Sequence, residues 1–355
     1  MTDIIKTRNL ILKHRETYPL LQIQDIFKFL YQSTFGCEHM IIDKEKVIDY
    51  IRQEYQCAKT FDKYNTVEEL DGNFCRVNLS ILNSGLSAKT LGGLFILSST
   101  KNSDTKEALI NKLDTVKGLI NEGLLPFTKE DFESELKKWE DNGFPAVHHS
   151  DIFRNNYKPS YRVISKDYIP FLELFAETDK RMAKGNVRLA VEGSSACGKT
   201  TLGKIFKKIY GCTVLHTDDF FLQPSQRTSE RLSAPGGNID YERFLSEVLI
   251  PLSRNERIAY RRFDCSEMKI MPPEEIIPES LTVIEGAYSM HPEFEKYYNF
   301  SVFIDISPEM QKQRILKRNS PAMAERFFNE WIPLEKLYFN TFSIKKKCDM
   351  CISVY

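Results

Sequence analysis

The second half of the sequence predicts an α/β fold, a doubly wound parallel sheet, preceded by a mainly α-helical amino-terminal domain. Two observations carry this. From Val187 onward, five short apolar runs alternate with helical stretches: VRLAVEG, TVLHT, LTVIEG, SVFIDIS and CDMCISV. Runs of that length, apolar on both faces and spaced by helices, are what a buried parallel sheet requires, because crossover helices cover both of its faces. Earlier in the chain the apolar residues keep helical spacing instead. Ile23, Ile26, Phe27, Leu30 and Tyr31 fall at i, i+3, i+4, i+7 and i+8, one face of an amphipathic helix. Thr128 opens another, with Asp131 three residues on as in a capping box, followed by the stripe Phe132, Leu136 and Trp139.

At 355 residues the chain exceeds what one hydrophobic core usually organises, so two domains are expected. The charged segment ETDKRMAKGN separates the two patterns and places the boundary at 183/184, giving a helical domain 1–183 and an α/β domain 184–355. Asp71-Gly72, Gly92-Gly93 and Asn142-Gly143 read as turns within the first. With 49 basic and 49 acidic residues, net charge is zero, and the two halves carry −2 and +2. Neither half has the basic excess of a protein that lives on phosphate backbones, so no nucleic-acid partner is expected. An apolar content of 42 % excludes wholesale disorder. No run approaches the roughly 20 apolar residues of a bilayer span, and MTDIIKTRNL has no signal-peptide core, which leads to the expectation of a cytoplasmic protein. The eight cysteines are scattered; the close pair Cys348 and Cys351 reads as structural rather than redox or metal-binding.

Directly after the first apolar run comes Gly193-Ser194-Ser195-Ala196-Cys197-Gly198-Lys199-Thr200, which matches GxxxxGK[ST] and is followed by Thr201 and a helical pattern. Glycines let such a loop curl so that its N–H groups face phosphate oxygens, the lysine bridges the outer phosphates, and the threonine hydroxyl ligates magnesium. The fold expectation thereby narrows to a P-loop NTPase, with ATP (or GTP) and Mg2+ as cofactors. A glycine-rich turn with a solvated lysine is the competing account.

In such sheets ligands bind beyond the carboxyl ends of the strands. The second run ends in His216-Thr217-Asp218-Asp219, where Asp218 is placed to take the proton of an attacking substrate hydroxyl. Two acids that merely cap a helix are the alternative. LTVIEG ends in Glu285, a candidate magnesium ligand or a buried structural acid. After SVFIDIS, Arg314 and Arg318 lie at i, i+4 spacing, as arginines that close on a transferring phosphoryl group or as a solvated helix face.

GSSACGKTT, HTDDFFL, PGGNIDYERF, VIEGAY, RILKRN, NEWIPLEKLYF and KCDMCIS together resemble the uridine kinase and phosphoribulokinase family of P-loop kinases over residues 187–355. The resemblance implies that Asp218 is the base, that Asp219, Asp240 and Tyr241 face the substrate, and that Arg314 and Arg318 belong to a lid that meets phosphate. Where uridine kinases carry a Tyr-Asp-Phe-x-x-His segment that reads the nucleobase, this chain has Arg261-Arg262-Phe263-Asp264-Cys265-Ser266. Phe263 is then the candidate for stacking on a ring, and Arg261 or Arg262 suits an acidic or phosphorylated substrate.

The leading expectation is a magnesium-dependent phosphotransferase acting on a hydroxyl of a small metabolite, most simply a nucleoside, with a sugar or vitamin precursor as an alternative and an oligomeric state left open. A nucleotide-switched regulatory protein, whose helical half engages a macromolecule, is a reading from a different class. The first half matches no activity. Phe35-Gly-Cys-Glu38-His39 and Ala146-Val-His148-His149-Ser150, continuing to Arg162, are its polar and aromatic concentrations, readable as a second site or as satisfied loop and cap residues.

Overall fold

The computed structural model describes residues 2–37, 43, 45–57, 66–101 and 104–354. The chain forms two compact units, Met1–Ala176 and Glu177–Tyr355. The division lies inside the helix Leu172–Met182, upstream of the 183/184 boundary expected from the charged segment. The charges there continue a helix rather than a linker, and Arg181 pairs with Glu177 one turn back at 2.8 Å.

In the first unit the helix Ile23–Phe35 buries Ile26, Phe27 and Leu30, and Lys129–Asp141 buries Phe132, Leu136 and Trp139. The two meet where Phe27 stacks on Trp139, with ring centroids 4.6 Å apart. Thr128 caps the second helix, its hydroxyl accepting the Asp131 N–H at 3.1 Å. Gly92-Gly93 is not a turn: both residues lie within the helix Ala88–Ser99. A Cβ on Gly92 would come within 3.2 Å of Ile48 and 3.4 Å of Val47, so the glycine permits a close helix–helix approach instead.

The sequence pattern does not announce the small antiparallel sheet of this unit. Strands β1 (Val67–Glu69), β2 (Phe74–Asn78) and β3 (Tyr161–Ser165) pair in the order β1-β2-β3. Four of the five residues of both β2 and β3 are buried, so neither shows the in–out alternation that marks a strand in a sequence.

The second unit is built on a five-stranded parallel sheet, and its strands are the five apolar runs. In chain order they are β4 (Val187–Gly193), β5 (Thr213–His216), then β10 (Leu281–Glu285), β11 (Phe300–Ile306) and β12 (Met350–Val354), arranged β12-β11-β4-β10-β5. Between β5 and β10 run two short ribbons, β6 (Ile258–Tyr260) with β9 (Glu274–Ile276) and β7 (Phe263–Asp264) with β8 (Lys269–Ile270). One core gathers Ala190, Leu215, Ile284 and Phe303 from the sheet with Phe220, Phe244, Phe294 and Tyr338. The register brings Glu285 level with Val191 on one side and with His216 on the other. Three successive strands therefore deliver their carboxyl ends to one edge of the sheet.

Candidate active site

β4 runs directly into the glycine-rich loop, and the helix Lys199–Tyr210 leaves it. The turn is tight where the chain needs it to be: Gly193 has φ +149, and a Cβ there would lie 2.5 Å from the backbone oxygen of Ile304. Gly198 (φ +109) and Ala196 (φ +64) also take left-handed conformations. Lys199 folds back over the loop, donating to the carbonyls of Gly193 at 2.7 Å and Ser194 at 3.1 Å. Burial works against its charge, but the Cys197 thiol and the carboxylates Glu335, Asp218 and Glu192 hold the ammonium above the usual lysine value. Thr200 and Thr201 lie exposed on the first turn of the helix.

The loop is gripped from outside. Gln311 donates to the Ser195 carbonyl at 2.9 Å, and Arg314 to those of Ala196 and Cys197 at 3.2 Å each. Both come from the helix Pro308–Arg318, whose Ile315 packs with Ala324, Ile332 and the loop's Ala196. Arg314 thus reaches the phosphate loop, whereas Arg318 is exposed and lies over the Phe327 ring, 5.8 Å from its centroid. Glu335 accepts from both the Ser195 N–H and its hydroxyl, a contact the sequence reading did not single out.

Asp218 and Asp219 occupy the turn after β5. Asp218 is exposed. Desolvation by the surrounding protein, then Glu285 and Glu335, push its carboxyl up to about 6 against the pull of Lys199. Burial likewise raises Asp219. Glu285, at the end of β10, is buried and accepts from His216 Nδ1 at 2.6 Å. This hydrogen bond, ahead of the opposing burial, raises His216 and makes it the group that orients Glu285. No sequence spacing links these two, because they meet through the β5–β10 pairing. Gly286 follows, and a Cβ on it would meet the Thr217 hydroxyl at 2.0 Å, so only glycine lets the two strand ends approach.

The donors here suit magnesium. Among the described residues no group of three or more His, Cys, Asp or Glu side chains forms a metal cage. Mg2+ is ordinarily held by one or two oxygen ligands with substrate phosphates and water completing the shell, and the Thr200 hydroxyl and Glu285 carboxylate are hard oxygen donors of that kind.

The remaining expected residues have other neighbours. Asp240 is buried and caps the helix Tyr241–Phe244, accepting the Arg243 N–H at 3.1 Å and Gln226 Nε2 at 3.0 Å. Tyr241 stacks on His291 at 4.5 Å, and the Arg231 guanidinium lies 4.0 Å from its ring centroid and donates to its hydroxyl at 2.8 Å. Arg262 pairs with Glu274 at 2.6 Å, and Arg261 with Glu247. Phe263 is 4 % exposed and pairs with Ile270 in the β7–β8 ribbon, so its faces are covered by protein.

Residues 189–326 match the Phosphoribulokinase / Uridine kinase family. A phosphoribulokinase from Synechocystis sp. is 27 % identical over 145 residues, 39 % of this chain. The alignment spans 43 % of that relative, under half its length. Among solved structures, a possible uridine kinase from Bacillus stearothermophilus is 19 % identical, covering 47 % of this chain and 89 % of its own, at a TM-score of 0.37. Shikimate kinase from Bacteroides thetaiotaomicron is 14 % identical over 47 % of this chain and 86 % of its own, at 0.26. The phosphoribulokinase/uridine kinase match runs from β4 to the helix Pro321–Arg326. It contains the glycine-rich loop, Asp218, Asp219, Asp240, Glu285, Arg314 and Arg318. The first unit and the helix Ile332–Phe342 lie outside it.

In the first unit, the concentrations of polar residues resolve into structure. Asp25, fully buried, accepts from His149 Nδ1 at 2.9 Å, from the Ser150 N–H at 3.0 Å and hydroxyl at 2.7 Å, and from the Gln22 N–H at 2.9 Å. His149 continues to the Tyr161 hydroxyl at 2.7 Å. Burial drives its imidazole down to about 3, so it serves as a neutral hydrogen-bonding bridge. Ser150 caps the helix Asp151–Tyr157, Arg162 forks onto Glu54 at 2.8 and 2.9 Å, and His148 is exposed. Glu38 and His39 lie outside the described residues. None of the described helices is long and apolar enough to cross a membrane.

Proposed function

We propose that the second unit is a P-loop kinase that transfers the terminal phosphoryl group of ATP (or GTP) to a hydroxyl of a small metabolite. The observation that carries this reading is the convergence of three strand ends: the phosphate loop after β4, Glu285 at the end of β10 and Asp218 after β5 stand at one edge of one parallel sheet. Lys199 and the loop N–H groups hold the nucleotide's phosphates. Thr200 and Glu285 would hold magnesium, which when bound neutralises phosphate charge. Asp218, ionised above about pH 6, accepts the acceptor's hydroxyl proton as its oxygen attacks. Arg314, which holds the loop carbonyls of Ala196 and Cys197, would neutralise charge on the transferring group.

The acceptor in this reading is a nucleoside, a sugar or a vitamin precursor. The covered faces of Phe263 favour a sugar-like or vitamin-precursor hydroxyl over a nucleobase sandwiched on that ring. A screen of nucleosides, sugars and vitamin precursors for ADP release, with mass analysis of the product, tests the proposal. An acceptor gaining one phosphoryl group is the expected result. Nucleotide turnover that ignores every metabolite and responds only to a macromolecule would instead establish the switch reading.

A further inference from the structure

The helix Ile332–Phe342 lies beyond the family-matched segment, yet two of its side chains hold the start of the phosphate loop. Glu335, 4 % exposed, takes the Ser195 N–H on Oε2 at 3.0 Å and the Ser195 hydroxyl on Oε1 at 2.5 Å. Tyr338, on the same helix face one turn later, donates to Glu192 Oε2 at 3.1 Å. Glu192 immediately precedes the loop and accepts the Gly193 N–H at 2.8 Å.

The peptide between Ser194 and Ser195 links Glu335 to the loop lysine. A trans peptide points its N–H and C=O in opposite directions. Its N–H is taken by Glu335; its C=O receives the Lys199 ammonium at 3.1 Å. The three peptides that follow have their carbonyls pinned by Gln311 and Arg314, and the Cys197 N–H donates back to the Ser194 carbonyl at 3.2 Å. The Ser194–Ser195 peptide is thus held by the Glu335 carboxylate at its N–H, while its C=O shares the lysine with the Gly193 carbonyl, which takes the ammonium at 2.7 Å.

We infer that Glu335 is a positioning residue for nucleotide phosphate binding, acting through the Ser194–Ser195 peptide to preset the loop and Lys199. This rests on the kinase reading above. A carboxylate beside a phosphate site also repels phosphate, so the proposal commits to orientation outweighing repulsion.

The test measures ADP affinity, ATP KM and kcat in the full chain. Glu335→Ala should weaken ADP binding about tenfold, the scale of one charge-assisted hydrogen bond. ATP KM should rise with it more than kcat falls. Glu335→Gln, whose amide oxygen still accepts one hydrogen bond, should lose less. Leu337→Ala, at an exposed position of the same helix, should behave as wild type. Ser195→Ala should weaken binding in the wild-type background and add nothing to Glu335→Ala. ADP bound as tightly as wild type, or more tightly, by Glu335→Ala overturns the proposal. So does a loss of thermal stability with unchanged affinity, or strict additivity with Ser195→Ala. Should the alanine variant not fold, wild-type affinity in Glu335→Gln and Glu335→Asp overturns it equally. Wild-type protein that binds no ADP would bring down the kinase reading itself, a distinguishable failure.

Discussion

Asp218 must be ionised to act as a base, and its surroundings resist ionisation. Desolvation and the neighbouring carboxylates Glu285 and Glu335 raise it to about 6. Phosphoryl transfer should therefore fall as pH drops through about 6 and level off above it, and a pH–rate profile will show that acidic limb. Asp218→Asn should keep nucleotide binding and lose about a hundredfold or more in transfer, the usual share of a general base. Unchanged turnover in that variant removes Asp218 from the role. Glu192 makes a second, independent prediction. Burial raises its carboxyl to about 7 despite its three hydrogen bonds. The folded state thus favours the protonated form, and the associated stability is present below about pH 4.5 and lost as pH rises through 7. It amounts to about 3 kcal/mol at most. Denaturation measured across that window should show a downward slope with rising pH that Glu192→Gln flattens. A slope of the same size in the variant would assign it to other groups.

The turn from β4 into the helix Lys199–Tyr210 is the element most sensitive to a single methyl group. A Cβ at Gly193 collides with the Ile304 carbonyl on the neighbouring strand and must adopt φ +149. Gly193→Ala should cost about 3 kcal/mol, at the strained end of single substitutions, and abolish nucleotide binding. Wild-type affinity in that variant would show that the loop has an alternative path. This element was legible in the sequence because its glycines, lysine and flanking strand and helix are contiguous. Likewise the five apolar runs became the five strands of the parallel sheet. Gly92-Gly93 misled because glycine marks a turn and a helix contact with the same letter; Val47 and Ile48 decide between them only once the helices pack. β2 and β3 were invisible for the opposite reason, since burial on both faces erased their alternation.

Across the molecule, all the residues of the proposed site lie in one compact unit, Glu177–Tyr355. Residues 172–355, which begin at the start of the helix Leu172–Met182, should bind ADP when expressed alone, and titration of that fragment checks it. A fragment that folds but binds nothing would show that the amino-terminal unit completes the site. The buried network around Asp25 belongs to that unit's own stability. Asp25→Ala would leave the Ser150 and Gln22 N–H groups and the His149 ring short of an acceptor and should cost about 3 kcal/mol, read as a lowered unfolding midpoint.

The sequence by itself determined the parallel α/β architecture, the phosphate loop and the acids at the strand ends, because each rests on neighbours in the chain. Tertiary structure alone decided the rest. It joined His216 to Glu285 across a strand pairing and committed Asp240 and Tyr241 to cap and stack. It also closed the faces of Phe263 and brought Glu335 onto Ser195 from 140 residues away. These contacts depend on register and helix packing, which no local spacing encodes.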